Sequence, residues 1–238
     1  MGRDLSNPRF VFSATLAATL AATIVLSGCS STASSSSNPT AVAAEDPAKP
    51  VRTVVIRGEE EKRAAATRTG EVYLMRGLMD IFSRGIDVLA VKLRRKGVYA
   101  VDTSYTEWKE WADDIIARSK TKDVSYPVII MGHSLGGNDA SKMASYLGAN
   151  GVKVDYVVAF DPTEPGYVGK NVGKVVNYYL PNGKNRIRAS KGFRGKLHNI
   201  DVSDYTDIAH TNVEKNPKLQ ARVIDNVVKM TRKKRRRG

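Results

Sequence analysis

Between an apolar run at residues 128–131 and a helix-like stretch at 138–147, the chain carries Gly132, His133, Ser134, Leu135, Gly136 and Gly137. Such a passage forces a sharp reversal from strand to helix. The residue at its tip is held in a strained backbone conformation. The positions two before and two after that tip crowd each other, so only very small residues fit, and here both are glycine. The strain lifts the Ser134 hydroxyl above the sheet edge. The following helix aims its free N–H groups and positive dipole end at the same point. A phosphate-cradling turn would need a Lys-Ser/Thr ending and different spacing, which the chain lacks.

The rest of the chain supplies a setting for this turn. Residues 72–75, 98–103, 154–160, 175–180 and 197–202 read as strands, and 51–57 alternates like another. Leu78, Phe82, Ile86, Leu89 and Leu93 recur at helical spacing and are closed by Gly97. Residues 107–119 form a helix with Trp108, Trp111 and Ile115 on one face. Ala140, Met143, Ala144 and Leu147 mark the helix after Ser134, and Leu219, Val223, Val227 and Met230 a final one. Residues 59–69 are charged and read as loop or helix. Strands alternating with helices predict an α/β fold, a doubly wound, mainly parallel sheet with helices on both faces. Ligands then bind at the carboxyl ends of the strands.

Strand, Gly-x-Ser-x-Gly and helix together resemble the nucleophile elbow of the α/β-hydrolases, over about residues 51–230. The resemblance implies a compact member of that fold without a large lid, acting on carboxylic esters through an acyl-enzyme. The family's chain order is Ser, acid, His. Two histidines follow Ser134. His210 stands in the loop before the last helix and is the expected base; His198 lies inside a strand and is expected to be structural, as is His133. Phe160-Asp161-Pro162-Thr163-Glu164-Pro165 resembles the acid segment of pancreatic-type lipases, which makes Asp161 the expected acid. Asp201, Asp204 and Asp207 are its rivals. By the same resemblance the oxyanion donors are the Leu135 N–H and the loop after residues 72–75, where Leu78 leads and Gly77 permits close approach. Arg76 replaces the family's histidine there. No metal or organic cofactor is implied. A non-catalytic envelope lipoprotein that uses the same fold as a binding platform is the alternative.

The ends carry other signals. Residues 1–28 read as an export leader, with Arg3 and Arg9 before an apolar stretch at 11–26. Leu26-Ser27-Gly28-Cys29 resembles the lipobox of bacterial lipoproteins. That implies lipidation of Cys29, the single cysteine, and attachment to the membrane of the cell envelope. Ser30 suits outer-membrane sorting in a Gram-negative cell. Residues 29–50, rich in Ser, Ala and Pro, read as a disordered tether. The formal charge is +14, part of it in the basic tail at 231–238. Anionic lipid or an anionic polymer is the expected partner of that tail, and nucleic acid is not expected for an exported chain.

Overall fold

The computed structural model describes residues 52–78, 83–181 and 184–234, with the side chains of 52–57 left aside. The leader, Cys29, the tether, Phe82 and the last four residues of the basic tail lie outside the described residues.

The core is a sheet built from six segments: β1 (Glu71–Arg76), β2 (Tyr99–Ser104), β3 (Val128–His133), β4 (Val154–Phe160), β6 (Val172–Tyr179) and β8 (Lys196–Asp201). Every pairing is parallel, in the order β2-β1-β3-β4-β6-β8. Two short strands, β5 (Gly166–Val168) and β7 (Ile187–Ala189), form a separate parallel pair that the periodicity of the sequence does not announce.

Continuous apolar runs such as Val72 to Met75 belong to strands buried on both faces. Val72 and Leu74 join one core with Ile86, Leu89 and Leu93 of α2 (Arg84–Arg95) and with Leu219, Val223 and Val227 of α5 (Pro217–Met230). Tyr73 and Met75 point the other way. They meet Ala112 and Ile115 of α3 (Trp108–Lys120) and Ala140, Met143 and Leu147 of α4 (Leu135–Ala149). Each of these large side chains contributes roughly 1.5–3 kcal/mol by leaving water. The two cores are the two faces of the doubly wound α/β arrangement. Among the described residues no helix is long and apolar enough to cross a membrane.

Two expectations fail. Residues 51–57 were expected as a strand, but α1 (Arg52–Ala65) is helical from Arg52 on and runs through the charged segment that follows. Its register is fixed by tertiary polar contacts: Glu59 accepts from the Tyr99 hydroxyl at 2.7 Å, and Arg63 bonds Asp114 at 3.1 Å. These override the local β preference of Val54, Val55 and Ile56. Leu78 was expected to open the next helix, but α2 begins at Arg84, and Leu78 is exposed in the loop that leaves β1.

This order places the site. The chain leaves β1 toward β2 on one side, and β3 lies on the other. The crevice where the winding direction changes therefore lies beyond the carboxyl ends of β1 and β3. Gly77 follows β1 there, and Ser134 follows β3.

Candidate active site

Ser134 sits between β3 and α4 with φ 58° and ψ −121°, a backbone conformation that side chains rarely adopt. Such strain costs about 1–3 kcal/mol and persists only where the surroundings over-determine it. Here its N–H donates to the Phe160 carbonyl at 3.0 Å, while its own carbonyl accepts from Gly137 and Asn138 at 2.9 and 3.1 Å. The glycines make the turn possible. A Cβ on Gly132 would overlap the Gly136 carbonyl, and one on Gly136 would overlap the Met75 carbonyl.

His210 reaches Ser134 from the loop between β8 and α5. Its Nε2 lies 3.0 Å from Ser134 Oγ. Its Nδ1 lies 2.7 Å from Asp161 Oδ2. Asp161 directly follows β4 at φ 44° and is buried; its N–H donates to the Tyr178 carbonyl at 2.7 Å. Its other oxygen, Oδ1, accepts from the Leu180 N–H at 2.9 Å and from Asn185 Nδ2 at 2.7 Å. The carboxylate is thus saturated and fixed. It raises the His210 pKa above the ordinary value, through the hydrogen bond first, against the opposing effect of partial burial.

The structure brings Ser134, Asp161 and His210 together, and none of the rival acids hydrogen-bonds the His210 ring. Asp201 turns back to Ser203, and Asp204 and Asp207 are exposed. His198 lies exposed on β8.

Around the serine, Leu135 is the first residue of α4, so its N–H has no partner within the helix. Gly77 lies close beside it: a Cβ there would stand 2.9 Å from Ser134 Cβ and 3.0 Å from the His133 carbonyl. The Gly77 N–H itself donates to Ser83 Oγ at 2.8 Å. It is therefore not an available oxyanion donor, and its place at the site is to permit close approach. Leu78 follows it, exposed, at the mouth of the crevice. Arg76 bridges Asp87 of α2 at 3.0 Å and Asp102 of β2 at 3.3 Å, so its side chain clips the base of this loop.

Three contributors escaped sequence reasoning. Asn185 braces Asp161, as above. Asn138 holds the segment after Asp161: its Oδ1 accepts from the Thr163 and Glu164 N–H groups at 2.9 and 3.2 Å, and its Nδ2 donates to Thr163 Oγ1 at 2.8 Å. Its place in the first turn of the helix after Ser134 was the available signal. Ser83 lies 2.8 Å from Nδ1 of the buried His133, whose Nε2 lies 2.7 Å from the His210 carbonyl. Burial lowers the His133 pKa to about 4, so the ring is neutral at pH 7. A neutral ring donates from Nε2 to the carbonyl and accepts at Nδ1 from the serine hydroxyl. His133 is thus more than packing: it ties the loop after β1 to the loop carrying His210. Beneath it lies Glu214, fully buried, 3.7 Å from His133 Nε2. Burial raises its pKa to about 6.

Among the described residues no group of three or more His, Cys, Asp or Glu could hold a metal ion. The arrangement is a hydroxyl, a base in contact with it and a buried carboxylate behind the base, which is the equipment for general-base activation of a serine.

No protein-family model matches this chain, and no curated protein does. Solved structures of similar fold exist. A candidate hydrolase of the alpha/beta superfamily from Xanthomonas campestris pv. campestris is 14% identical with a TM-score of 0.40, covering 68% of this chain and 98% of its own. The NocB thioesterase domain from the nocardicin cluster is 14% identical with a TM-score of 0.39, covering 71% and 96%. RedJ, with a polyethylene glycol molecule in its active site, is 11% identical with a TM-score of 0.39, covering 71% and 90%. These proteins are what the chain is similar to.

Proposed function

We propose that this protein is a serine hydrolase that cleaves carboxylic esters through an acyl-enzyme on Ser134. The observation that carries the reading is the continuous hydrogen-bonded line from Ser134 Oγ through His210 to Asp161, at 3.0 and 2.7 Å. His210 Nε2 takes the hydroxyl proton as Oγ bonds to the acyl carbon. Asp161, held by Leu180 and Asn185, keeps the imidazole in the tautomer with Nδ1 protonated and stabilises the imidazolium that forms. The tetrahedral oxyanion takes hydrogen bonds from the Leu135 and Leu78 N–H groups. His210 then returns the proton to the leaving alkoxide. Water, deprotonated by the same nitrogen, attacks the acyl carbon and releases the acid and free Ser134.

The domain is placed at a membrane of the cell envelope by its leader, with Cys29 as the lipidated anchor; the sequence of residues 1–29 supports this part.

Treatment with a fluorophosphonate tests the chemistry. Intact-mass analysis is expected to find one adduct, mapped to Ser134 and lost in His210→Ala. A folded protein that takes up no adduct would favour the binding-platform alternative.

A further inference from the structure

The pole of the sheet opposite Ser134 is built from the loops that enter the strands: 66–70, 96–98, 121–127, 150–153, 169–171 and 190–195. The segment after α5 joins them, because the backbones of Arg68 and Lys233 form an isolated antiparallel β-bridge and the Lys234 N–H donates to the Thr67 carbonyl at 2.8 Å. These segments carry ten Lys and Arg and a single acid, Asp123. All of the ten but Arg68 are exposed. Lys153, Lys170, Arg194 and Lys196 line one hollow of about 680 Å³. Lys96, Lys233 and Lys234 border a second, of about 500 Å³.

Cations thereby collect at one end of the strands. The loops at the end that carries Ser134 are mixed, exposing Glu107, Glu164, Asp204 and Asp207 beside Lys184, Arg186 and Lys215. The two ends are separated by the length of β4, on the order of 23 Å for its seven residues. Complementing helix dipoles accounts for cations that close helices, such as Arg94 and Arg95 on α2. It does not account for Lys170, Lys191 and Arg194, which lie in connections between strands. Lys153 is partly spent on Asp155, at 2.5 Å; Lys170, Arg194 and Lys196 face the same hollow with no acid in its lining.

We infer that this basic pole docks on an anionic phospholipid bilayer and so turns the Ser134 end away from the membrane. The inference rests on the membrane-anchored reading of the leader, while the surface itself is a property of the folded domain. A single-stranded nucleic-acid channel would line its cations with several stacking aromatics. This pole is a set of loop tips with one strongly exposed aromatic, Tyr126, and Phe193 half-buried. Isolated cations with an occasional amphipathic ring match a headgroup layer, where each Lys or Arg near the surface strengthens binding about fivefold.

The test is co-flotation of the full chain with phosphatidylcholine vesicles and with vesicles one third phosphatidylglycerol, beside the variant Lys170→Glu/Arg194→Glu/Lys196→Glu. The leader, with Arg3 and Arg9, is the same in wild type and variant and so cancels in their comparison. Wild type is expected to prefer the anionic vesicles by at least about tenfold at low salt, and less at physiological salt. The variant is expected to lose at least about tenfold of that preference. The milder variant Lys170→Gln/Arg194→Gln/Lys196→Gln should lose part of the preference and guards against misfolding, which circular dichroism reads directly. An undiminished preference in both variants overturns the inference. So does a wild-type protein that binds a single-stranded oligonucleotide more tightly than anionic vesicles at the same salt. Flotation does not depend on turnover, and ester hydrolysis in the variants should equal wild type, so a failure of docking is separable from a failure of the hydrolase reading.

Discussion

His133 Nε2 donates to the carbonyl of His210 at 2.7 Å, so the residue before the serine holds the backbone of the residue that contacts the serine's hydroxyl. The two rings stand 5.1 Å apart, with the Ser83 hydroxyl on the far side of His133. Replacing His133 by Leu leaves a buried hydroxyl and a carbonyl unpaired, which costs about 1–3 kcal/mol. It also frees the loop carrying His210. Ester hydrolysis is expected to lose about 10- to 100-fold in kcat with KM nearly unchanged, as for a small misplacement of a catalytic group. A variant that is destabilised but keeps full kcat would limit His133 to packing.

Glu214 gives a pH signature. Its folded pKa is raised from 4.5 to about 6 by burial. Between those values the folded protein holds a proton that the unfolded chain has released, so stability falls as pH rises through this window. Glu214→Gln removes that loss. Urea unfolding should find the variant more stable than wild type by about 1–2 kcal/mol at pH 7.5 and nearly equal at pH 4.5. A variant less stable than wild type at pH 7.5 would mean that Lys215, whose Nζ stands 3.9 Å from Oε1, outweighs the cost of burying the ionised carboxylate.

The two glycine positions flanking the serine differ from their neighbour. Gly132→Ala and Gly136→Ala drive a methyl into backbone carbonyls and are expected to cost about 3 kcal/mol or more, the upper range of overpacking. Gly137→Ala meets its nearest atoms at 3.4 Å, an ordinary contact. It should be tolerated and gain up to about 1 kcal/mol of helix propensity. Thermal melts of the three variants check the contrast, and equal melting of all three would contradict it.

Asp161→Asn removes the group that raises the His210 pKa. Because only neutral imidazole accepts the Ser134 proton, activity is lost below that pKa. In the variant the acid limb of the kcat/KM profile should move to lower pH, and kcat should drop about 10⁴-fold. Asn185→Ala should produce a smaller drop, since Leu180 still donates to the carboxylate. An acid limb that stays in place would show that the carboxylate does not set the base.

The turn around Ser134 was legible because part of its constraint is local: Gly132 is pressed by the Gly136 carbonyl four residues on, whereas the pressure on Gly136 comes from Met75 on the neighbouring strand. Asp161 was legible because the sequence runs straight from a buried strand into it. Asn185 was not, since its meeting with Asp161 depends on how the chain returns after β6, and an asparagine in a polar loop carries no signal of that return. Ser83 and His133 meet across fifty residues for the same reason. The helical start of α1 was misread because Val54, Val55 and Ile56 favour a strand locally, while contacts of Glu59 and Arg63 with distant elements decide the outcome. The three-residue strands β5 and β7 are too short for any periodicity to register. The basic pole was hidden in the same way, its cations being scattered over seven segments that only the parallel sheet gathers at one end.

Acyl transfer through Ser134 is measured by the hydrolysis of p-nitrophenyl esters from acetate to palmitate by wild type and Ser134→Ala. Wild type is expected to turn over at least one chain length, and the variant to fall to near background while its fold is retained. Equal turnover by both proteins, or none by a folded wild type at any length, would rule out Ser134 as the nucleophile of an ester hydrolase.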